Sequence, residues 1–158
     1  MQIILLTHER ELERPTNTGK LALEGDTGAT VRRLVWQRTA PDPGLLETLQ
    51  QPGCGLVYPQ SEMPGEAASA LSLAECETFV LLDGTWQEAR KMFNRSPYLK
   101  PLPSVELAAE RPSQFTLRRN QRDGGLCTVE CIIEILRAKG RADMADALET
   151  RFLAFLGR

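Results

Sequence analysis

Apolar residues fall in short blocks along this chain, and their spacing changes from one block to the next. Ile3-Ile4-Leu5-Leu6 is a continuous run inside a strand predicted from Gln2 to Thr7. Five apolar or β-branched residues, Thr78 to Leu82, bounded by Asp83-Gly84, suit a second buried strand. Further stretches predict strands at Val31 to Gln37, Gly55 to Tyr58, Ser104 to Leu107 and Gln114 to Leu117. Trp86, Ala89, Met92 and Phe93 recur at helical spacing and predict a helix that ends before Pro97. Further helices are predicted near Leu45 to Gln50, from Thr128 to Lys139 and from Ala142 to Leu156, the last two separated by Gly140. A short helix around Lys20 to Leu23 and another ahead of the Thr78 strand complete the pattern. Strands alternating with helices predict an α/β fold, a mostly parallel sheet with helices on both faces.

The passage from the Thr78 strand into the Trp86 helix is the place where this pattern points to chemistry. In open α/β sheets ligands bind at the carboxyl ends of strands, where the next helix offers unpaired N–H groups. Asp83, Gly84, Thr85 and Trp86 stand at that corner, and an anionic or zwitterionic ligand suits it. Read alone, the same residues fit a buried aspartate capping a helix and a tryptophan in the core.

Composition narrows the setting. At 158 residues, 42% hydrophobic and 25% charged, residues 1–158 are expected to form a single domain with enough buried surface to fold without staples. No segment approaches the length of a membrane span, so a cytoplasmic protein without a membrane partner is expected. Cys54, Cys76, Cys127 and Cys131 lack a C-x-x-C spacing, and His8 is far from them in sequence. The expectation is therefore no metal site, with the thiols acting as small apolar groups. A net charge of −2 argues against a protein coated in positive potential. Basic residues nevertheless cluster at Arg32, Arg33 and Arg38, at Arg90, Lys91 and Arg95, and at Arg111, Arg118, Arg119 and Arg122. On one face they would track phosphates; scattered, they are a solvated surface.

Four blocks in order carry a family resemblance. They are Thr7-His8-Glu9 followed by Arg14-Pro15-Thr16-Asn17-Thr18-Gly19-Lys20-Leu21, then Leu56-Val57-Tyr58-Pro59, then Asp83-Gly84-Thr85-Trp86, then Leu126-Cys127-Thr128-Val129-Glu130. Ser96-Pro97-Tyr98-Leu99 with Leu102-Pro103 adds to them. The chain resembles the DTW-domain family of tRNA-uridine aminocarboxypropyltransferases in the SPOUT superfamily. That resemblance implies a SPOUT-like domain with a C-terminal trefoil knot, S-adenosylmethionine as co-substrate and tRNA as partner. It also implies transfer of the 3-amino-3-carboxypropyl group to N3 of a uridine, with release of 5′-methylthioadenosine. The alternatives are the same transfer on ribosomal RNA, an RNA methyltransferase, and a non-catalytic RNA-binding module. Many family members begin with a cysteine-rich segment; here the chain is read as starting at its first strand and lacking that segment. Val129 stands where leucine is usual, and Leu34 to Gly53 matches no block. A monomer is expected, with a dimer as the alternative.

Roles follow from the chemistry of that transfer. Uracil N3 must lose a proton, so Asp83 is the expected general base, with helix capping at Thr85 and Trp86 as its other reading. Trp86, with Thr85 and Gly84, and Tyr58 with Pro59 are expected to border S-adenosylmethionine. Asn17, Thr18 and Gly19 suit the amino-acid end of that ligand or the uracil edge, and Leu126, Cys127, Thr128 and Glu130 suit an adenine edge or a carboxylate. Arg14, Lys20, Arg90 and Lys91 are candidates for RNA phosphates or the ligand carboxylate, and Arg118 and Arg122 for RNA phosphates. His8 is a candidate second acid/base group, against a structural reading.

Overall fold

A computed structural model describes residues 1–63, 69–107 and 127–157. Strands β1 (Gln2–Thr7), β2 (Val31–Val35), β3 (Cys54–Val57), β4 (Thr78–Asp83) and β5 (Ser104–Val105) form one sheet in the order β2-β1-β4-β3-β5. Every pairing is parallel. The helices among the described residues are α1 (Pro43–Leu49), α2 (Trp86–Asn94), α3 (Thr128–Ala138) and α4 (Ala142–Leu156).

The two-residue period of a strand sorts the side chains. Ile3, Leu5, Val31, Phe79 and Leu81 join α3 and α4 in one buried cluster. Ile4, Leu6, Leu56 and Val80 join Leu45 of α1 and Met92 and Phe93 of α2 in another. Helices therefore cover both faces, which is why the first and fourth strands read as unbroken apolar runs. Beyond the sheet, Gly140 takes φ +75 between α3 and α4. Arg141 N–H then donates to Leu136 O at 2.7 Å, the left-handed closure that glycine permits at a helix end.

Most sequence expectations stand, with shifted ends. The second strand stops at Val35 rather than Gln37, because Trp36 and Gln37 lie beyond the last sheet pairing. The first helix starts at Pro43, where the Asp42 side chain accepts the Leu45 N–H at 3.0 Å. The short helix near Lys20 is a 3-10 turn over Gly19–Leu23. Ahead of β4, residues 69–77 hold a bridge from Ala70 to Ser104 and a turn rather than a helix. The strand expected at Gln114 to Leu117 lies outside the described residues. So do residues 108–126, which include Leu126, the first residue of the stretch Leu126 to Glu130 where the resemblance places the knot.

Candidate functional site

Parallel strands β1 and β4 lie side by side at the centre of the sheet, and their chains leave in opposite directions. β1 leads to β2 on one side; β4 leads toward β5 on the other. This is a topological switch point, the crevice where open α/β sheets bind ligands. Thr7 and Asp83 are register partners at the carboxyl ends of these two strands.

By alternation, Thr7 and Asp83 face the α3 side, as does Arg33 of β2. Asp83 is 1% exposed. Its Oδ2 accepts from Thr7 Oγ1 at 3.0 Å, from Asn17 Nδ2 at 3.2 Å and from an Arg33 guanidinium nitrogen at 3.3 Å. Its Oδ1 accepts from Asn17 Nδ2 at 3.1 Å and from Thr128 Oγ1 at 2.9 Å. Donors from four separate segments thus meet a group with about four lone-pair sites. Gly19 is part of the same arrangement, since a Cβ there would sit 2.9 Å from Asp83 Oδ2.

Asn17 is equally occupied. Its amide nitrogen also donates to Glu11 at 2.9 Å, and its oxygen accepts from Arg33 at 2.8 Å and from the Lys20 N–H at 3.0 Å. Thr18 Oγ1 accepts the Val129 N–H at 3.2 Å, and Glu130 accepts the Cys127 N–H at 3.1 Å, closing the first turn of α3. The Asn-Thr-Gly block and the start of α3 are joined to Asp83 and to each other.

The helix-capping alternative for Asp83 is not what the structure has. Thr85 caps α2, accepting the Glu88 N–H at 3.1 Å while Glu88 accepts the Thr85 N–H at 3.0 Å. Glu88 also takes two hydrogen bonds from Arg14, at 2.6 and 2.8 Å, and Arg14 pairs with the fully buried Glu11. Burial alone would push the Glu88 carboxyl up, but the Arg14 guanidinium and the Thr85 N–H together hold it down to about 2. Arg14 is raised in turn, chiefly by Glu88. Its guanidinium serves two carboxylates of the protein.

On the α2 side the surroundings are aromatic. Tyr58 stacks on Phe93 at 4.6 Å and on Trp86 at 5.6 Å, and Pro59 follows at the end of β3. His8 stacks on Trp36 at 5.9 Å. Gly84 lies against Glu88 and His8, a Cβ there falling 3.2 Å from Glu88 and 3.6 Å from His8. Lys20 is drawn away, over the Phe155 ring at 5.6 Å. Arg90 and Lys91 are exposed on α2. Leu126, Arg118 and Arg122 lie outside the described residues.

Thr7, Glu11, Arg33 and Glu88 were missed as site residues. Glu88 had a signal, the spacing Thr85-x-x-Glu88 of a capping box. Arg33 looked like one of a basic cluster, and only strand alternation beside β1 turns it inward. Burial raises the thiols of Cys54 and Cys76 to about 11 and that of Cys131 to about 12, and raises Cys127 as well, so they remain protonated and unreactive. Among the described residues no group of three or more His, Cys, Asp or Glu is placed to hold a metal ion. No helix there is long and apolar enough to cross a membrane.

Two curated relatives carry the name tRNA-uridine aminocarboxypropyltransferase 2. The Drosophila melanogaster protein is 30% identical over 139 residues, which cover 85% of this chain and 55% of that protein. The Macaca fascicularis protein is 28% identical over 91 residues, covering 57% of this chain and 30% of that protein. The chain thus spans about half the length of the first relative and less of the second. No solved structure gives a significant match. The DTW domain model matches residues 1–158, and the chain belongs to that family.

Proposed function

We propose that this chain transfers the 3-amino-3-carboxypropyl group of S-adenosylmethionine to N3 of a tRNA uridine. The observation that carries the reading is the convergence of three sequence-distant blocks, around Asn17, Asp83 and Thr128, on one carboxylate at the switch point of a parallel sheet. Relatives named for this transfer and a family match over the whole chain support it.

The side chains fit such a donor. Glu11, Asp83 and Glu88 bring three formal negative charges against two from Arg14 and Arg33. The surplus suits a sulfonium and an ammonium. S-adenosylmethionine supplies a carbon already attached to a good leaving group. Trp86 over Tyr58, with Pro59, offers an apolar wall, and the start of α3 at Cys127 and Thr128, with Glu130, offers the polar edge. In the transfer, N3 bonds to the terminal side-chain carbon, the carbon–sulfur electron pair passes to sulfur, and the N3 proton leaves to solvent. A general base needs a lone pair facing its substrate. The donors already on Asp83 favour a positioning role, in which it holds Asn17, Thr128 and Arg33 in register. Arg90 and Lys91 are left for phosphates, with Arg118 and Arg122 as further candidates.

The test is incubation with S-adenosylmethionine and unmodified tRNA, followed by mass spectrometry of the nucleosides. Aminocarboxypropyl uridine is expected. A methylated nucleoside would move the chain to the methyltransferases, and unchanged tRNA beside modified ribosomal RNA would change the substrate.

A further inference from the structure

His8 stands just past the end of β1, where its N–H continues the ladder by donating to Asp83 O at 3.0 Å. It is the one histidine of the chain, and its side chain is 10% exposed. Two contacts fix the ring. One face stacks on Trp36, with planes 20° from parallel. Nδ1 accepts the Arg10 N–H at 3.1 Å. The Glu88 carboxylate, itself held by Arg14, lies 3.7 Å from the same nitrogen. Trp36 is pinned in turn, donating from Nε1 to Ser96 Oγ at 2.7 Å and from its backbone to Thr7 O at 2.8 Å.

Accepting at Nδ1 leaves the proton of the neutral ring on Nε2. Nε2 has no acceptor among the described residues. It is not a buried orphan either, because the buried side-chain atoms without a partner there are Nε of Arg33 and Nε of Arg137. A held donor that solvent reaches, on the residue that follows the end of β1, is placed for an acceptor that arrives from outside.

We propose that His8 Nε2–H receives a carbonyl oxygen of the target uracil, with the Trp36 stack and the Arg10 N–H setting its direction. This rests on the uridine-transfer reading and names a residue that would touch the base. As N3 gives up its proton, negative charge spreads onto the two flanking carbonyl oxygens. A neutral donor on one of them stabilises that anion more than it stabilises the neutral base. His8 takes no proton in this role; the N3 proton still leaves to solvent. Directed at O4, the same donor also favours uracil, because cytosine has no N3 proton and carries an amino group at that position.

With one histidine, a ¹⁵N-histidine spectrum reports this ring alone. The free protein is expected to show the Nε2–H tautomer, and its Nε2 signal is expected to move with oligouridylate and not with oligocytidylate of the same length. His8→Phe keeps a stacking ring and removes the donor; His8→Gln returns an N–H near the Nε2 position. Single-turnover transfer to tRNA should fall about 10²-fold in the first and largely return in the second, with S-adenosylmethionine affinity held within about two-fold in both. An Nδ1–H tautomer, or His8→Phe at the rate of an active wild type, overturns the assignment. A wild type that transfers nothing to tRNA overturns the functional reading instead, and the uridine-dependent shift then decides the histidine's part without it. That spectrum needs no variant, so a His8→Phe chain that fails to fold leaves it decisive.

Discussion

The two sides of the sheet end between β1 and β4 are built differently. On the α3 side, Asp83 and Asn17 are buried and their hydrogen-bonding positions are used within the protein. On the α2 side, His8, Trp36 and Trp86 are held by stacking, with polar edges satisfied from one direction. Charges meet inside the protein on the first side, whereas rings stack on one another on the second. The most conspicuous acid of the sequence accepts hydrogen bonds from four separate segments of the chain.

If these bonds hold the α3 side together, Asp83→Ala has the largest effect. It strands the Arg33 charge and leaves three polar side chains without their acceptor, at a cost of about 3–5 kcal/mol. Urea unfolding measures this. Asp83→Asn should lose both stability and turnover; turnover falling about 10²–10⁴-fold at unchanged stability would restore the base role.

Gly19→Ala comes next, because the new Cβ 2.9 Å from Asp83 Oδ2 must push the carboxylate or the 3-10 turn aside. A loss of about 1–3 kcal/mol is expected, as for other overpacked sites. Wild-type stability would mean that the turn yields freely.

Glu88→Gln bridges the two sides, and a loss of about 1–2 kcal/mol is expected from its charge-assisted bonds to Arg14. Its carboxyl is held below its ordinary value of 4.5, at about 2. The stability it contributes is therefore complete above about pH 4.5 and is lost as the pH falls toward about 2. The variant should show a correspondingly shallower acid limb in unfolding curves taken across that window.

The smallest effects belong to the α2 side. Trp36→Phe retains a ring for His8 but loses the bond to Ser96, for about 1 kcal/mol. Reversing charge at the exposed Arg90 and Lys91 should change stability by less than about 0.5 kcal/mol while flattening the salt dependence of tRNA binding. Equal slopes would place the RNA path elsewhere.

Much of this was legible in the chain. Unbroken apolar runs announced strands buried on both faces, and helical spacing from Trp86 to Phe93 announced α2. Side-chain periodicity is local, so the sequence carries it in full. Motif order likewise brought Asn17, Asp83 and Thr128 onto one list. What the sequence by itself determined was the main strands and helices, the parallel α/β class and the identity of the conspicuous residues. Tertiary structure decided their partners. Only the placement of β1 beside β4 sets Thr7 against Asp83, and only β2 on the far side of β1 turns Arg33 inward rather than toward RNA. Pairing depends on which strands are neighbours, and neighbours separated by 76 residues in sequence leave no local trace of each other.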